Sequence, residues 1–523
     1  MTAVLFRADA GLGIGHGHVF RCLTLAKVLA EYKVSVCFVC KDHPGHLAEK
    51  IVQQGFACYL LPCETGSTVD PANYHSWVGG TQENDALQTI TIVEEHARKT
   101  GVDITVVVVD HYGLDKNWEL PFQEFGLPVW AIDDLANRNH RIYGLIDTGI
   151  DKTPRDYETL LDSQSLICTG SDYALIRSEF LAWRESSLAR KFGTPGNLLI
   201  MFGGVDHQDW TGKTLNALIN NGLPHNTRVR VVIGSGYLQR ARLNQKVHAA
   251  GIDLEILQDI ENVAQILADT DLCIGGGGSA VWERCCLGVP TIMIQIVDNQ
   301  AGNCRALEAA GAAICLPRSV DMSDLTGTVQ SLLGDAGRRS EMKSIAAALV
   351  DGYGARRVAS LILGATGGDG EVIFLRPVVE SDCESVYRWQ SQTDNRRYFR
   401  NPDVPEWSEH SAWFARHIES GAWSRIIVRH KKSVGIIRLQ SRGSGYEVSI
   451  LIDKEHQGQG IAQAALGLLG MEKSDVSLYA EIHNENIASV RLFEKAGFRP
   501  LNGRLYLRTP TKPGEFINHA RSR

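Results

Sequence analysis

No stretch of the 523-residue chain reaches the roughly 18 consecutive apolar residues of a membrane-spanning helix. No membrane insertion is expected. The first residues, MTAVLFRADAG, enter a strand-like pattern directly. They lack the basic segment and apolar stretch of a secretory signal, so a cytoplasmic protein is expected. Long basic runs are missing as well. Lys and Arg number 53 against 60 Asp and Glu, a net charge of −7, which argues against a nucleic-acid partner. There is no HExxH and no cluster of His and Cys with ligand spacing, so no metal is implied. A disulfide framework is absent too. The twelve cysteines are scattered, and several, such as Cys37 and Cys273, lie inside apolar runs. That is the pattern of reduced, buried thiols. Cys37 and Cys40 have CxxC spacing, but they sit in the strand-like run VSVCFVC with no partner pair nearby, and are read as structural.

Against these absences stands an ordinary globular composition, 44% hydrophobic and 22% charged. The length suggests three domains. VLFRA, SVCFVC, ITVVVVD and PVWAIDD read as buried parallel strands, with LTLAKVLAEY and ALQTITIVEEHARK as helices between them. The pattern restarts at NLLIMFGG and continues through VRVVIG, LEILQ, DLCIGGGG and TIMIQI. Two Rossmann-like lobes with a cleft between them are predicted, over 1–185 and 186–365, joined through the segment from Arg177 to Pro195. LGATGGDGEV (363–372) reads as a linker. Beyond it, 373–523 opens strand-then-helix, and IIVRHKK, SVGIIRLQ and YEVSILID look like an antiparallel meander. The expected fold class is α/β, two Rossmann-like lobes followed by an α+β domain.

Three motifs carry chemistry. The first is GLGIGHGHVFRC (11–22), a glycine turn between a strand and a helix expected over Val19 to Glu31. Glycine amides at a helix start favour an anion. The spacing is not a dinucleotide fingerprint, and no acid is placed for a ribose after the second strand, so hydride transfer is not expected. A histidine here can accept a proton from water near neutral pH. It can equally be a residue that merely starts a helix. Asp9, Asp110, Asp133 and Asp134 fall at the ends of expected strands. They can orient a histidine, bind sugar hydroxyls or cap the next helix; Asp9 is the preferred histidine partner because it is nearest in the loop.

The stretch RADAGLGIGHGHVFRCLTLAKVL resembles the start of the nucleotide-sugar hydrolases of pseudaminic acid biosynthesis, which are MurG-like relatives of the GT-B glycosyltransferases. The matching elements are Arg7-Ala8-Asp9, Ile14-Gly15-His16-Gly17-His18 and Arg21-Cys22-Leu23-Thr24-Leu25-Ala26. The resemblance implies that His18 is the catalytic histidine, with Asp9 beside it and Gly17 near the nucleotide sugar. It gives His16 no catalytic role.

The second motif is CIGGGGSAVWERCCLGVPTIMIQIVDNQ (273–300). A strand ends in four glycines and Ser279 opens a helix, so the amides of Gly277, Gly278 and Ser279 could hold a diphosphate. Glu283 lies one turn in, on the side of Ser279. The alternative is a tight strand–helix turn with surface charges. The stretch resembles the same family, which implies Glu283 on the ribose hydroxyls and Asn299 and Gln300 facing the sugar. FGGVD (202–206) is a further candidate. This resemblance covers about residues 1–360.

The third motif is YEVSILIDKEHQGQGIAQAALGLL (446–469), followed by AEIHNENIASVRLFEKAGF. Amides that wrap a pyrophosphate at a helix start need glycines so that the backbone can approach. The run resembles the acetyl-CoA loop of GNAT acetyltransferases, over about 373–510. The resemblance implies that Ile450, Ile452, Gln457, Gly458, Gly460, Ala462, Asn486 and Ser489 face acetyl-CoA. Phe493 stands where many members have a tyrosine acid, and it has no proton to give. Glu447 is either a base for the incoming amine or a paired surface acid.

Taken together the resemblances imply a bifunctional enzyme of nonulosonic acid synthesis, feeding cell-surface or flagellin glycosylation. It would take UDP-amino sugars and acetyl-CoA, acetylate a 4-amino sugar precursor and hydrolyse UDP-2,4-diacetamido-2,4,6-trideoxy-beta-L-altropyranose. The alternative is a UDP-sugar glycosyltransferase fused to a protein N-acetyltransferase.

Overall fold

The computed structural model describes residues 3–162, 165–192, 196–224, 227–234, 236–249, 253–260, 262–429 and 432–511. The end of the expected inter-lobe connection, 193–195, lies outside them. Two compact units emerge. One comprises Met1–Ala30 and Val34–Ala355, the other Glu31–Lys33 and Arg356–Arg523.

The first unit contains two parallel sheets. The first has strands β1 (Ala3–Ala8), β2 (Ser35–Lys41), β3 (Ala57–Leu61), β4 (Ile104–Asp110), β5 (Val129–Ile132), β6 (Gly144–Asp147) and β7 (Leu166–Thr169), in the order 3-2-1-4-5-6-7. The second has β8 (Asn197–Met201), β9 (Arg228–Ile233), β10 (Asp253–Gln258), β11 (Leu272–Gly276), β12 (Thr291–Ile294) and β13 (Ala313–Leu316), in the order 10-9-8-11-12-13. These strands read as near-continuous apolar runs because both faces are covered; all six residues of β1 are buried. The two lobes are Rossmann-like, as expected. The strand order reverses between β1 and β4 in the first lobe and between β8 and β11 in the second. Ligands in such sheets bind beyond the carboxyl ends of the strands at that reversal. The strands end there in Ala8 and Asp110, and in Met201 and Gly276.

Cys37 and Cys40 are both buried and free. An odd spacing on a strand sends two side chains to opposite faces. Cys40 instead meets Cys58 of the neighbouring strand, with the sulfurs 3.9 Å apart. Among the described residues no helix is long and apolar enough to cross a membrane.

The second unit is built on a mixed sheet of β14 (Ala365–Thr366), β15 (Val372–Pro377), β16 (Ser424–Arg429), β17 (Lys432–Arg442), β18 (Gly445–Ile452), β19 (Leu478–Glu481), β20 (Arg499–Asn502) and β21 (Leu505–Arg508). The order is 14-15-16-17-18-19-21-20. The expected meander is β16 to β18, antiparallel throughout. The stretch 363–372 is not a free linker. Ala365 and Thr366 pair with Ile373 and Val372, and the Gly367 amide closes the turn on the Glu371 carbonyl at 2.7 Å. Absence of large side chains suits a tight hairpin turn as well as a tether. β18 and β19 run parallel but pair only at Tyr446–Leu478 and Glu447–Tyr479. Past Glu447 the two strands part.

Candidate functional sites

The glycine turn of the first lobe folds on itself. The Gly15 amide donates to the Gly11 carbonyl at 2.9 Å, and Gly15 has φ +85°, a conformation that suits glycine. The following helix spans Gly17–Glu31, earlier than the expected Val19, so His18 lies in its first turn. His18 and Arg21, three apart, share a helix face.

His18 is 7% exposed. Its Nδ1 donates to Oδ1 of Asp110 at 2.6 Å. The Arg21 guanidinium grips the same carboxylate with two donors, Nε to Oδ2 at 2.5 Å and Nη2 to Oδ1 at 2.6 Å. A third nitrogen of Arg21 reaches Asp134 at 3.1 Å, and the Tyr112 hydroxyl donates to Asp134 at 2.7 Å. Tyr112 stands edge-on to His18 with centroids 4.5 Å apart, and Trp77 edge-on at 6.0 Å. Burial raises the Asp110 carboxyl, and the Arg21 guanidinium, joined by the hydrogen bond from His18, overcomes this and holds it well below the usual carboxylate range. An ionised acceptor on Nδ1 fixes the tautomer and leaves the Nε2 lone pair available.

Asp9 is not the partner of His18. Its Oδ1 accepts from Arg7 at 2.6 Å and from the Lys41 amide at 2.6 Å, and its Oδ2 faces His111 Nε2 at 3.2 Å. Arg7 in turn binds Asp85 at 2.9 and 2.8 Å. Asp9 therefore belongs to a fully buried ionic cluster beneath the strand ends, and its role is structural support. Asp133 likewise pairs with Arg138 at 2.6 Å. Burial lowers the pKa of His16, and its carbonyl accepts the Phe20 amide at 3.1 Å, starting the helix.

The second lobe closes on this loop. A Cβ built on Gly17 would stand 4.0 Å from the Ser279 hydroxyl, and one on Gly204, within FGGVD, 3.4 Å from His16 Nδ1. His207 Nε2 donates to the Leu12 carbonyl at 2.8 Å. Gly278 and Ser279 are exposed, whereas Gly277 is buried. The Gly277 amide is already used, donating to Gln300 Oε1 at 3.2 Å, and the Ile296 amide donates to the same oxygen at 3.0 Å. Gln300 thus ties the glycine turn to the next loop, while Asn299 is exposed beside it. Glu283 accepts from Arg177 Nε at 2.9 Å and its side chain is 16% exposed.

In the second unit, Gly458 and Gly460 have φ +74° and +73°, and the loop Gln457–Gly460 precedes the helix Ile461–Glu472, where Ala462 lies. A Cβ on Gly458 would meet nothing within 4 Å, whereas one on Gly460 would lie 2.5 Å from the Gly368 amide nitrogen. Gln457 donates to Asn395 at 2.9 Å and to the Ile452 carbonyl at 3.1 Å. Ile450 and Ile452 lie on β18 where β19 has left it. Asn486 caps the helix Ile487–Lys495, accepting from the Ser489 amide at 3.1 Å. Glu447 resolves as a paired acid: Arg400 donates to Oε1 at 2.5 Å and Arg442 to Oε2. With both oxygens engaged it is a poor proton acceptor. Phe493 is buried edge-on to Phe498, 5.0 Å between centroids.

Sequence reading left Arg21, Tyr112, Trp77 and Arg177 without roles. Arg21 carried a signal, the three-residue spacing from His18. Trp77 and Arg177 are brought in by tertiary packing alone. Among the described residues no three His, Cys, Asp or Glu side chains gather as a metal ligand set.

Residues 208–355 match the glycosyltransferase family 28 C-terminal domain, and residues 373–499 match the acetyltransferase (GNAT) domain. An uncharacterized protein of Methanocaldococcus jannaschii is 22% identical over 516 residues, 94% of this chain and 95% of its own length. A UDP-2,4-diacetamido-2,4,6-trideoxy-beta-L-altropyranose hydrolase of Campylobacter jejuni is 26% identical over 309 residues, 59% of this chain and 97% of its own. Among solved structures, MurG of Acinetobacter baumannii aligns with 69% of this chain and 99% of its own at 17% identity, with a TM-score of 0.49.

Proposed function

We propose that this chain, which joins a glycosyltransferase family 28 C-terminal domain to a GNAT acetyltransferase domain, carries out two consecutive steps on a UDP-linked amino sugar. The second unit acetylates the 4-amino group with acetyl-CoA. The two lobes, divided near residue 185, then hydrolyse UDP-2,4-diacetamido-2,4,6-trideoxy-beta-L-altropyranose to UDP and the free sugar. Such a protein would work in the cytoplasm and feed surface or flagellin glycosylation.

The observation that carries the hydrolase reading is the His18–Asp110 pair, with Arg21 holding Asp110 ionised. In the proposed step, His18 Nε2 takes a proton from water as the water oxygen bonds to the anomeric carbon. The bond from that carbon to the diphosphate oxygen breaks, and UDP leaves with the electron pair. Asp110 stabilises the imidazolium so formed. In this reading the amides at Gly278 and Ser279 would hold the diphosphate, and Glu283 the ribose. The similarity to the Campylobacter hydrolase supports water as the acceptor.

The acetylation reading rests on the parted strands β18 and β19 beside the Gly458–Gly460 loop. The acyl carbon of acetyl-CoA would bond to the amine nitrogen as its bond to sulfur breaks; the sulfur would leave with the electron pair and take up, through solvent, the proton that the amine gives up. Gly458, Gly460 and the free backbone of β18 would hold the cofactor's pyrophosphate and pantetheine arm.

Incubation with UDP-amino sugars and acetyl-CoA, followed by mass spectrometry, tests both steps. UDP release without any added acceptor is expected. Release only when a sugar or lipid acceptor is supplied makes the lobes a glycosyltransferase. Acetylation of protein and not of amino sugar overturns the acetylation step.

A further inference from the structure

Ser424, Arg438 and Ser449 stand opposite one another across β16, β17 and β18. Side chains at directly paired positions rise from the same face of a sheet. The helix Trp407–Glu419 brings Trp413 and His417 to this row. The Arg438 guanidinium carbon lies 5.3 Å from the Trp413 ring centroid. Trp413 and His417 stack at 5.1 Å, and His417 Nε2 meets the Ser424 hydroxyl at 2.5 Å.

Arg438 differs from its neighbours. Arg400 and Arg442 both pair with Glu447. Arg438 makes one long hydrogen bond, to Ser449 Oγ at 3.3 Å, and among the described residues no carboxylate pairs with it. Its surroundings are short of negative charge: burial lowers its pKa, and burial and then the Arg438 charge lower those of His410 and His417. A half-buried guanidinium with most of its five donors unused is an anion receptor. Its location matters. Ser449 is exposed and lies two residues past Glu447, the last position at which β18 pairs with β19. An anion on Arg438 would therefore sit beside the opening into which a thioester would reach.

We propose that Arg438, with the Ser449 hydroxyl, binds the diphosphate of the acetyl acceptor, so that the acetyltransferase selects a nucleotide-linked amine over a free amino sugar. Trp413 holds the guanidinium plane. The proposal deepens the acetylation reading above and rests on it.

The test uses the full chain with R438Q and R438K. Removing a charged hydrogen-bond donor is expected to raise KM for the UDP-amino sugar about ten- to a hundredfold. Acetyl-CoA affinity, UDP release and Tm should stay near wild type, and R438K should recover part of the loss. Free amino sugar should be a poor substrate that R438Q does not worsen. An unchanged KM for the UDP-amino sugar overturns the proposal. So does a parallel loss of acetyl-CoA affinity and Tm, which would make Arg438 a structural residue. A sugar phosphate that serves as well as the nucleotide sugar assigns the site to a single phosphate and overturns the diphosphate. If wild type acetylates no amino sugar, the functional reading fails separately, and the site is judged by calorimetry with UDP as titrant in saturating CoA. One more equivalent bound by wild type than by R438Q supports it, and equal binding overturns it.

Discussion

His18 and Asp110 are 92 residues apart in sequence and 2.6 Å apart in the fold, Nδ1 to Oδ1. Each has a separable contribution. His18→Ala should lower UDP release by about 10²–10⁴-fold while UDP affinity stays near wild type, because the proposed UDP site lies in the other lobe. Asp110→Asn should reduce kcat similarly, since an amide donor facing Nδ1 favours the wrong tautomer. It should also lower Tm, because Arg21 loses one of its two charged partners, keeping only Asp134. Steady-state rates beside calorimetric UDP titrations check both. Near-normal hydrolysis by His18→Ala would remove His18 from the mechanism.

Asp147 gives a pH prediction. It is fully buried. Burial, and then the Asp134 charge, push its carboxyl up to about 7. Its folded pKa thus lies above the unfolded value near 4. Between the two the unfolded chain loses the proton first, so stability falls as pH rises from about 4 to about 7. Tyr157 lies 2.9 Å from both the Asp147 carboxylate and the Asp133 carbonyl. With one hydroxyl proton it can serve both only if Asp147 donates. Asparagine supplies that donor, so Asp147→Asn should raise Tm at pH 7.5 and leave it nearly unchanged at pH 4. Asp110, held low by Arg21 and His18 against its burial, works the other way: its stabilisation is present above about pH 4 and disappears as pH falls further. Thermal melts across pH 3–8 separate the two. A gain at pH 4 equal to that at pH 7.5 would contradict the Asp147 assignment.

Glu283→Ala should weaken UDP binding by about ten- to a hundredfold, as ribose hydroxyls lose a charged acceptor. The Arg177 side chain, which pairs with Glu283 at 2.9 Å, keeps its ion pair to Glu179. An Arg177→Ala variant should cost less than Glu283→Ala. The reverse order would show that the pair acts through Arg177, on a phosphate.

Gly458→Leu should remove acetyl transfer and spare UDP release. Open space surrounds the position, so the folding cost is confined to the left-handed backbone, about 1–2 kcal/mol. The same change at Gly460 is a poorer probe, because Gly368 is in the way. Loss of both activities in a folded Gly458→Leu protein would overturn the assignment of separate sites.

The two lobes were legible because buried parallel strands are continuous apolar runs, and VLFRA and ITVVVVD became β1 and β4. Shorter strands such as β6 (GLID) and β13 (AICL) were not, since four residues hold too little pattern. The loops around His18, Gly277 and Gly458 stood out because glycine punctuates a chain locally. The partner of His18 was hidden. Asp9 is nearest in sequence, but its carboxylate is consumed by Arg7 and Lys41, while Asp110 arrives through the pairing of β1 with β4. Arg438 was hidden for a similar reason, its neighbours being assembled by strand register and one helix.

The hairpin of β14 and β15 bears on how the polypeptide can be divided. A second half begun at Ile373, where the sequence matches the acetyltransferase domain, would lose β14, bare the backbone edge of β15, and take Gly368 away from the Gln459 carbonyl, which its amide meets at 2.7 Å. Bare edges invite pairing between copies. The workable cut lies upstream of Ala365, so that the glycine-rich turn travels with the Gln457–Gly460 loop it braces.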